Sequence, residues 1–296
     1  MIKQTVFALS LAFGALGTSA ALSAPIDVVA SFSILGDMVG RVGGDRVALT
    51  TIVGPNADTH VYDPTPADAA AVGKAKVFFV SGLGFEGWMD RLVEATGYKG
   101  ALVVASEGVS SRQMDEDGET ITDPHAWQSL SNGLIYVDNI SKGLCAADPE
   151  GCPTYEANAR SYEAEISALD AEVKAQIASV PEAKRKVITT HDAFGYFGAA
   201  YGVVFEAPEG VSTESEASAA DVAKLIEQIR SEGVSALFIE NMSDGRLIEQ
   251  IARETGAKLG GELYADALSR PDEGAATYLD MFRHNVSLLV PAMKGE

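Results

Sequence analysis

The chain has 296 residues, with 42 acidic against 22 basic side chains and four histidines, for a formal charge of −20. Such a surface repels nucleic acid and anionic lipid and draws cations toward it, which excludes polyanion binding as a general function. The length exceeds what one core usually serves, so two lobes are expected.

The opening stretch MIKQTVFALSLAFGALGTSAALSA carries Lys3 as its one charge, an apolar run from about Val6 to Leu16, and small residues up to Ala24. This is the pattern of a secretory signal peptide over residues 1–24, cleaved after Ala24 or, as second choice, Ala20. The apolar run is shorter than the ~20 residues of a membrane-spanning helix. No cysteine lies near the cleavage region, so no lipid anchor is expected and the mature protein is expected to be soluble and exported. Cleavage removes one Lys and no acid, which takes the formal charge to −21.

DVVASFS (27–33) alternates as a strand, and Ile34 to Val42 suits a helix. ALTTIV (48–53), AKVFFVSG (75–82) and ALVVAS (101–106) follow as strands, with helix-compatible segments at 67–74 and 85–95. Strands alternating with helices predict a parallel sheet covered on both faces, which gathers ligands in the loops beyond the strand carboxyl ends. Residues 111–123, SRQMDEDGETITD, show no apolar period and read as an exposed acidic loop. Cys145 and Cys152, in LCAADPEGCP, flank a turn built on Asp148-Pro149 and Gly151. In an oxidising compartment they are expected to form a local disulfide.

From 153 to 181, Tyr155, Ala159, Tyr162, Ile166, Leu169, Val173 and Ile177 recur at three- and four-residue spacing with no glycine or proline between them. This predicts one long amphipathic helix, about 25 residues and ~37 Å in length. Beyond it, KVITTH (186–191), SALFIE (235–240) and KLGGEL (258–263) read as strands, alternating with helices near 194–201, 218–232, 244–255 and 274–290. Ser218 and Asp221 resemble the start of a capping box. The expected fold is α/β: two lobes, each a mostly parallel sheet flanked by helices, joined by one long rigid backbone helix. The expected division is 25–152, 153–181 and 182–296. A rigid rod predicts limited hinge opening, with a ligand held between the lobes.

His60 in NADTHVYDP, His125 in TDPHAW and His191 in ITTHDAF sit in loops or at strand ends, whereas His284 falls inside a helix. The proline before His125 stiffens its backbone. Two of the three histidines fall in the first lobe and one in the second, as a cleft site requires. Three neutral imidazoles favour Zn²⁺ or another first-row ion over Ca²⁺ or Mg²⁺. A fourth ligand could come from Asp266 in LYADALS, preferred on position, or from Glu240 at the end of SALFIE. Asp123 and Asp192 stand next to the histidines as acceptors that steady the rings, and Trp127 is expected to pack beside the site.

In THVYDPTPAD, TDPHAW, the long central helix, TTHDAFGYFGAAYG, STESEAS, IEN and LYADALS, taken in that order, the chain resembles the zinc- and manganese-binding solute-binding proteins of bacterial ABC importers. The resemblance spans essentially the whole mature chain. It implies a periplasmic, non-enzymatic protein whose metal ligands are His60, His125, His191 and Asp266. Members that resemble manganese or iron binders often carry Glu where this chain has His191, so the resemblance points to the zinc-preferring branch. The implied cargo is Zn²⁺, with Mn²⁺ as the alternative. The implied partner is the importer permease; whether a periplasmic metallochaperone loads the acidic loop is left open, and the protein is expected to be a monomer. The chain departs from many zinc members in lacking a histidine-rich loop before the second ligand. Two other readings, a secreted zinc hydrolase and a protein with a purely structural metal, require respectively an open coordination position and a metal-dependent fold.

Overall fold

The computed structural model describes residues 24–116, 119–214, 217–232, 234 and 236–296; nearly all of the expected signal peptide lies outside the described residues. Ten strands and nine helices are found among them. In the first lobe, β1 (Ile26–Phe32), β2 (Val47–Val53), β3 (Val77–Val80) and β4 (Ala101–Val104) form a parallel sheet in the order β2-β1-β3-β4. Helices α1 (Ser33–Gly43), α2 (Pro66–Lys74) and α3 (Met89–Thr96) connect the strands. Burial on both faces explains why β3 reads VFFV without alternation: all four residues are buried. Thr65 starts α2 with a reciprocal capping box to Asp68.

Residues 111–123 are not an irregular loop. They contain an antiparallel ribbon, β5 (Gln113–Glu116) paired with β6 (Glu119–Thr122). A short two-stranded ribbon of mostly polar residues needs no apolar period, so periodicity carried no signal for it. Cross-strand pairing replaces that signal, with Gln113 Nε2 donating to Thr122 Oγ1 at 3.1 Å.

Two helices complete the junction: α4 (Leu130–Ala147), absent from the sequence reading, and the long α5 (Cys152–Ala178) of 27 residues. Cys145 on α4 and Cys152 at the start of α5 are joined by a disulfide. The buried stripe of α5 is Tyr155, Ala159, Tyr162, Ile166, Leu169, Val173 and Ile177, the set that the spacing marks. This helix packs on α1 and α4 of the first lobe, on α6 (Gly195–Tyr201) and on the C-terminal α9 (Tyr278–Lys294). Asp37 of α1 ties the crossing together, accepting from the Tyr278 N–H at 2.9 Å and from the Tyr162 hydroxyl at 3.3 Å.

The second lobe repeats the parallel plan with β7 (Lys186–Ile188), β8 (Val204–Glu206), β9 (Ala236–Glu240) and β10 (Lys258–Leu263) in the order β10-β9-β7-β8. Helices α7 (Ala219–Glu232) and α8 (Arg246–Thr255) flank it. The three-residue edge strand β8 was not expected from sequence; it is too short to show alternation. At the entry to α7, the Val222 N–H donates to the Ser218 carbonyl at 3.1 Å, while the Asp221 side chain of the expected capping box lies outside the description. A small second core of Ile188, Leu225, Ile229, Leu237, Ile248 and Ile251 supports this sheet separately from the main core. No helix among the described residues is long and apolar enough to cross a membrane.

Candidate metal centre

His60 lies on the turn after β2, His125 follows β6, His191 follows β7, and Asp266 follows β10. The carboxyl ends of parallel strands present His60, His191 and Asp266 to the cleft, the antiparallel ribbon presents His125, and the four side chains meet there. His60 Nε2 is 3.3 Å from His125 Nε2, and Asp266 Oδ2 lies 3.2, 3.6 and 3.1 Å from the Nε2 atoms of His60, His125 and His191. Tetrahedral zinc with bonds of ~2.0–2.1 Å separates its donors by ~3.3 Å, so the spacing suits an ion at the centre. His125, His191 and Asp266 are fully buried, and the His60 side chain is 6% exposed. Asp266 Oδ1 is buried without a hydrogen-bond partner, an uncompensated acceptor at the edge of the cage.

Each ring is turned by the backbone that precedes it or by a carboxylate beyond it. Asp123 Oδ1 accepts from the His125 N–H and lies 3.0 Å from Nδ1, which leaves Nε2 aimed into the cluster. Asp58 Oδ1 accepts from the His60 N–H at 2.9 Å, while its Oδ2 accepts from Thr213 Oγ1 of the second lobe at 2.6 Å. For His191 the acceptor is Glu240, not Asp192. Glu240 Oε2 pairs with Nδ1, and Oε1 accepts from the N–H groups of Thr190 and His191 at 2.9 and 3.1 Å. Glu240 reaches across from β9 to the ring, while Asp192 stays within electrostatic range of both His125 and His191. Glu240 is therefore close to the site as a support, and Asp266 supplies the carboxylate within the cluster.

The charges interlock. Burial alone would lower the His125 imidazole, but the Asp266 and Asp123 carboxylates outweigh it and push it up to about 9. Burial likewise opposes a charge on His191, yet Glu240 and Asp266 hold it well above the usual imidazole value. Burial would raise Asp266, and the two imidazoles overcome that and keep it well below the ordinary carboxylate range. Without an ion, Asp266 faces the His125 and His191 rings, which its charge helps keep protonated, and a cation must displace those protons.

Aromatic rings wall the cluster. Phe85 stands edge-on to His60 and His125, with ring centroids 4.9 and 6.0 Å away. Trp127 is fully buried and packs 5.4 Å from the His125 ring. The Phe85 loop was not singled out in the sequence; the only signal was the glycine-rich run SGLGFEG after a strand. Beside the cluster a cavity of about 490 Å³ is lined chiefly by second-lobe residues such as Glu209, Met242 and Asp244, with Asp58 of the first lobe at its edge. His284 is remote in role, its Nε2 pairing with the Glu262 carbonyl. Cys145, Cys152 and Glu156 also converge, but the sulfurs are bonded to each other and are not thiolate ligands.

Residues 28–292 match the family described as zinc-uptake complex component A, periplasmic. The chain is 33% identical over 269 residues to the manganese-binding lipoprotein MntA of Halalkalibacterium halodurans, covering 90% of this chain and 88% of that protein. It is also 33% identical over 286 residues to the iron ABC transporter substrate-binding lipoprotein MtsA of Streptococcus pyogenes serotype M1, covering 94% and 92%. Among solved structures, the periplasmic zinc binding protein TroA from Treponema pallidum superposes with a TM-score of 0.86 at 29% identity, covering 91% of this chain and 99% of that one.

Two of these relatives are lipoproteins by name, which overturns the expectation of a protein without a lipid anchor. That expectation rested on one chemical criterion, a cysteine near the cleavage point, and relatives aligned over 90% or more of the chain do not support it. Fold, extent of match and relatives agree: the chain belongs to the periplasmic component A family of zinc-uptake complexes, the metal-binding substrate-binding proteins of ABC importers.

Proposed function

We propose that this chain captures one divalent first-row cation with His60, His125, His191 and Asp266 and delivers it to an ABC-type permease, with Zn²⁺ as the preferred cargo. The observation that carries the reading is the convergence of three imidazole nitrogens and one carboxylate oxygen from both lobes, all within 4.8 Å of one another and all buried. Three nitrogens and one oxygen at tetrahedral spacing suit Zn²⁺. Four protein donors fill that coordination shell, whereas a hydrolytic zinc site keeps one position for water. The residues of this chain bind, orient and shield the ion.

A second reading, Mn²⁺ or iron as cargo, is favoured by the names of the two curated relatives. The Irving–Williams order gives Zn²⁺ tighter binding than Mn²⁺ in almost any such site, so affinity alone does not identify the cargo carried in a cell. The test is competition calorimetry on metal-stripped protein with Zn²⁺ and Mn²⁺ in turn. Tight one-to-one Zn²⁺ binding with much weaker Mn²⁺ binding supports the zinc reading. Comparable affinities, together with Mn²⁺ recovered from protein isolated from its own cell, support the second.

A further inference from the structure

The segment Ser81–Trp88, SGLGFEGW, follows β3 and passes through three consecutive residues with left-handed backbone: Gly82 (φ 86°), Leu83 (φ 56°) and Gly84 (φ 89°). Glycine adopts this region freely, but leucine there is strained, so the turn must be held by other contacts. Glu86 supplies them from inside. Its Oε1 accepts from the Ser81 N–H and from Ser31 Oγ, both at 2.6 Å, and its Oε2 accepts from the Gly82 N–H at 3.1 Å. The side chain is buried, which raises its pKa. A carboxylate in such a place is tolerated only when its oxygens are occupied, as these are.

The residues on either side of Glu86 act on His60. Phe85 places its ring edge-on to the His60 ring at 4.9 Å. Trp88 Nε1 donates to the carbonyl of Thr59, the residue before His60, at 3.0 Å. One contact holds the imidazole and the other the backbone that carries it. His60 has the most solvent-accessible side chain of the four, at 6%, and among the described residues no carboxylate is paired with its Nδ1, unlike His125 and His191. Its aim depends on packing, and the packing depends on the turn.

Resting on the reading that His60 ligates the ion, we propose that Glu86 is a positioning residue for metal capture, locking the Ser81–Trp88 turn so that Phe85 and Trp88 fix the direction of His60. Glutamine cannot replace it. Each carboxylate oxygen accepts from a backbone N–H, so a carboxamide sets its NH₂ against one of those N–H groups whichever way it is turned.

The experiment titrates the metal-stripped full chain with Co²⁺, read by visible absorption, and with Zn²⁺ by competition, in wild type and Glu86→Gln. Circular dichroism and melting follow the fold. The wild type is expected to show the intense absorption of tetrahedral Co²⁺. The folded variant should show a weaker, shifted band and a Zn²⁺ affinity lower by about 10–100-fold. Phe85→Leu should move the band in the same direction. Leu92→Ala, a core truncation on α3, should lower the melting temperature and leave the band alone, separating positioning from general stability. If Glu86→Gln does not fold, Ser31→Ala, which removes one hydroxyl from Oε1, decides: a shifted band supports the proposal and a wild-type band overturns it. A wild-type band in folded Glu86→Gln overturns this inference alone. No band in the wild type would overturn the ligand assignment itself, and this inference with it.

Discussion

Trp127 Nε1 donates to the carbonyl of Ala265 at 2.9 Å, so the residue two places after His125 holds the backbone one place before Asp266. Gln128 Nε2 adds a second bond to the same carbonyl at 2.7 Å. Both donors belong to the first lobe and the acceptor to the second. One peptide group thus registers a histidine of one half against the carboxylate of the other. Trp127→Phe keeps the ring packing against Phe32 and Phe85 and leaves the Gln128 bond. The expected loss is about 1 kcal/mol of stability, read as a lower urea midpoint with an unchanged slope, with a severalfold weaker hold on Zn²⁺.

Replacing a donor within the cluster should have a larger effect than disturbing its support. Asp266→Ala and His191→Ala are each expected to weaken Zn²⁺ binding by more than about 100-fold. Glu240→Gln, which removes a charged partner of the His191 ring, should cost about 10–100-fold. Calorimetric competition against a chelator of known affinity measures all three. Unchanged affinity in Asp266→Ala would remove it from the ligand set.

The pH dependence has a definite sign. In the metal-free protein the Asp266 and Asp123 carboxylates push His125 up to about 9 from the ordinary imidazole value of 6.5, so its contribution to stability is complete below pH 6.5 and is lost as pH rises through about 9. Metal-free protein should therefore melt at lower temperature at pH 9 than at pH 6.5. An ion must displace the same protons, so Zn²⁺ affinity should increase over that interval. Calorimetry in buffers of different ionisation enthalpy should register proton release at pH 7. Affinity independent of pH would refute this coupling.

Chelation tests whether the ion is cargo or scaffold. The main core and the separate core of the second lobe are built from packed hydrophobic side chains, so stripped protein should still unfold cooperatively. Free Zn²⁺ at about 1,000 times the dissociation constant should add about 4 kcal/mol, seen as a rise in melting temperature. Collapse of the near-ultraviolet spectrum on chelation would make the metal structural instead.

Much of this arrangement was legible in the residues themselves. The stripe from Tyr155 to Ile177 is a helix because nothing within it interrupts the period, and its burial follows the spacing residue by residue. The strands leading to His60 and His191 are short apolar runs ended by polar loops, which is why loop histidines at their ends pointed to a shared cleft. Position preferred Asp266 to Glu240 only narrowly, since Glu240 ends β9 and Asp266 follows β10 of the same sheet. Only the register of β9 beside β7 places Glu240 behind the His191 ring, within reach of Nδ1. Glu86 was invisible for a related reason: its partners Ser31 and Ser81 lie on different strand ends, and no local pattern marks a carboxylate that is satisfied at long range.

The helix α5 also constrains timing. Its buried face is packed against helices of both halves along most of its length, so swinging the halves far apart would mean stripping that face from one of them, an event on the scale of unfolding. Faster escape for a bound ion lies through the contacts near the cleft, such as Asp58 to Thr213 and the Asn56 N–H to the Leu268 carbonyl. Residence time would then be set by those hydrogen bonds breaking together, and a receptor competing for them would shorten it without bending the rod.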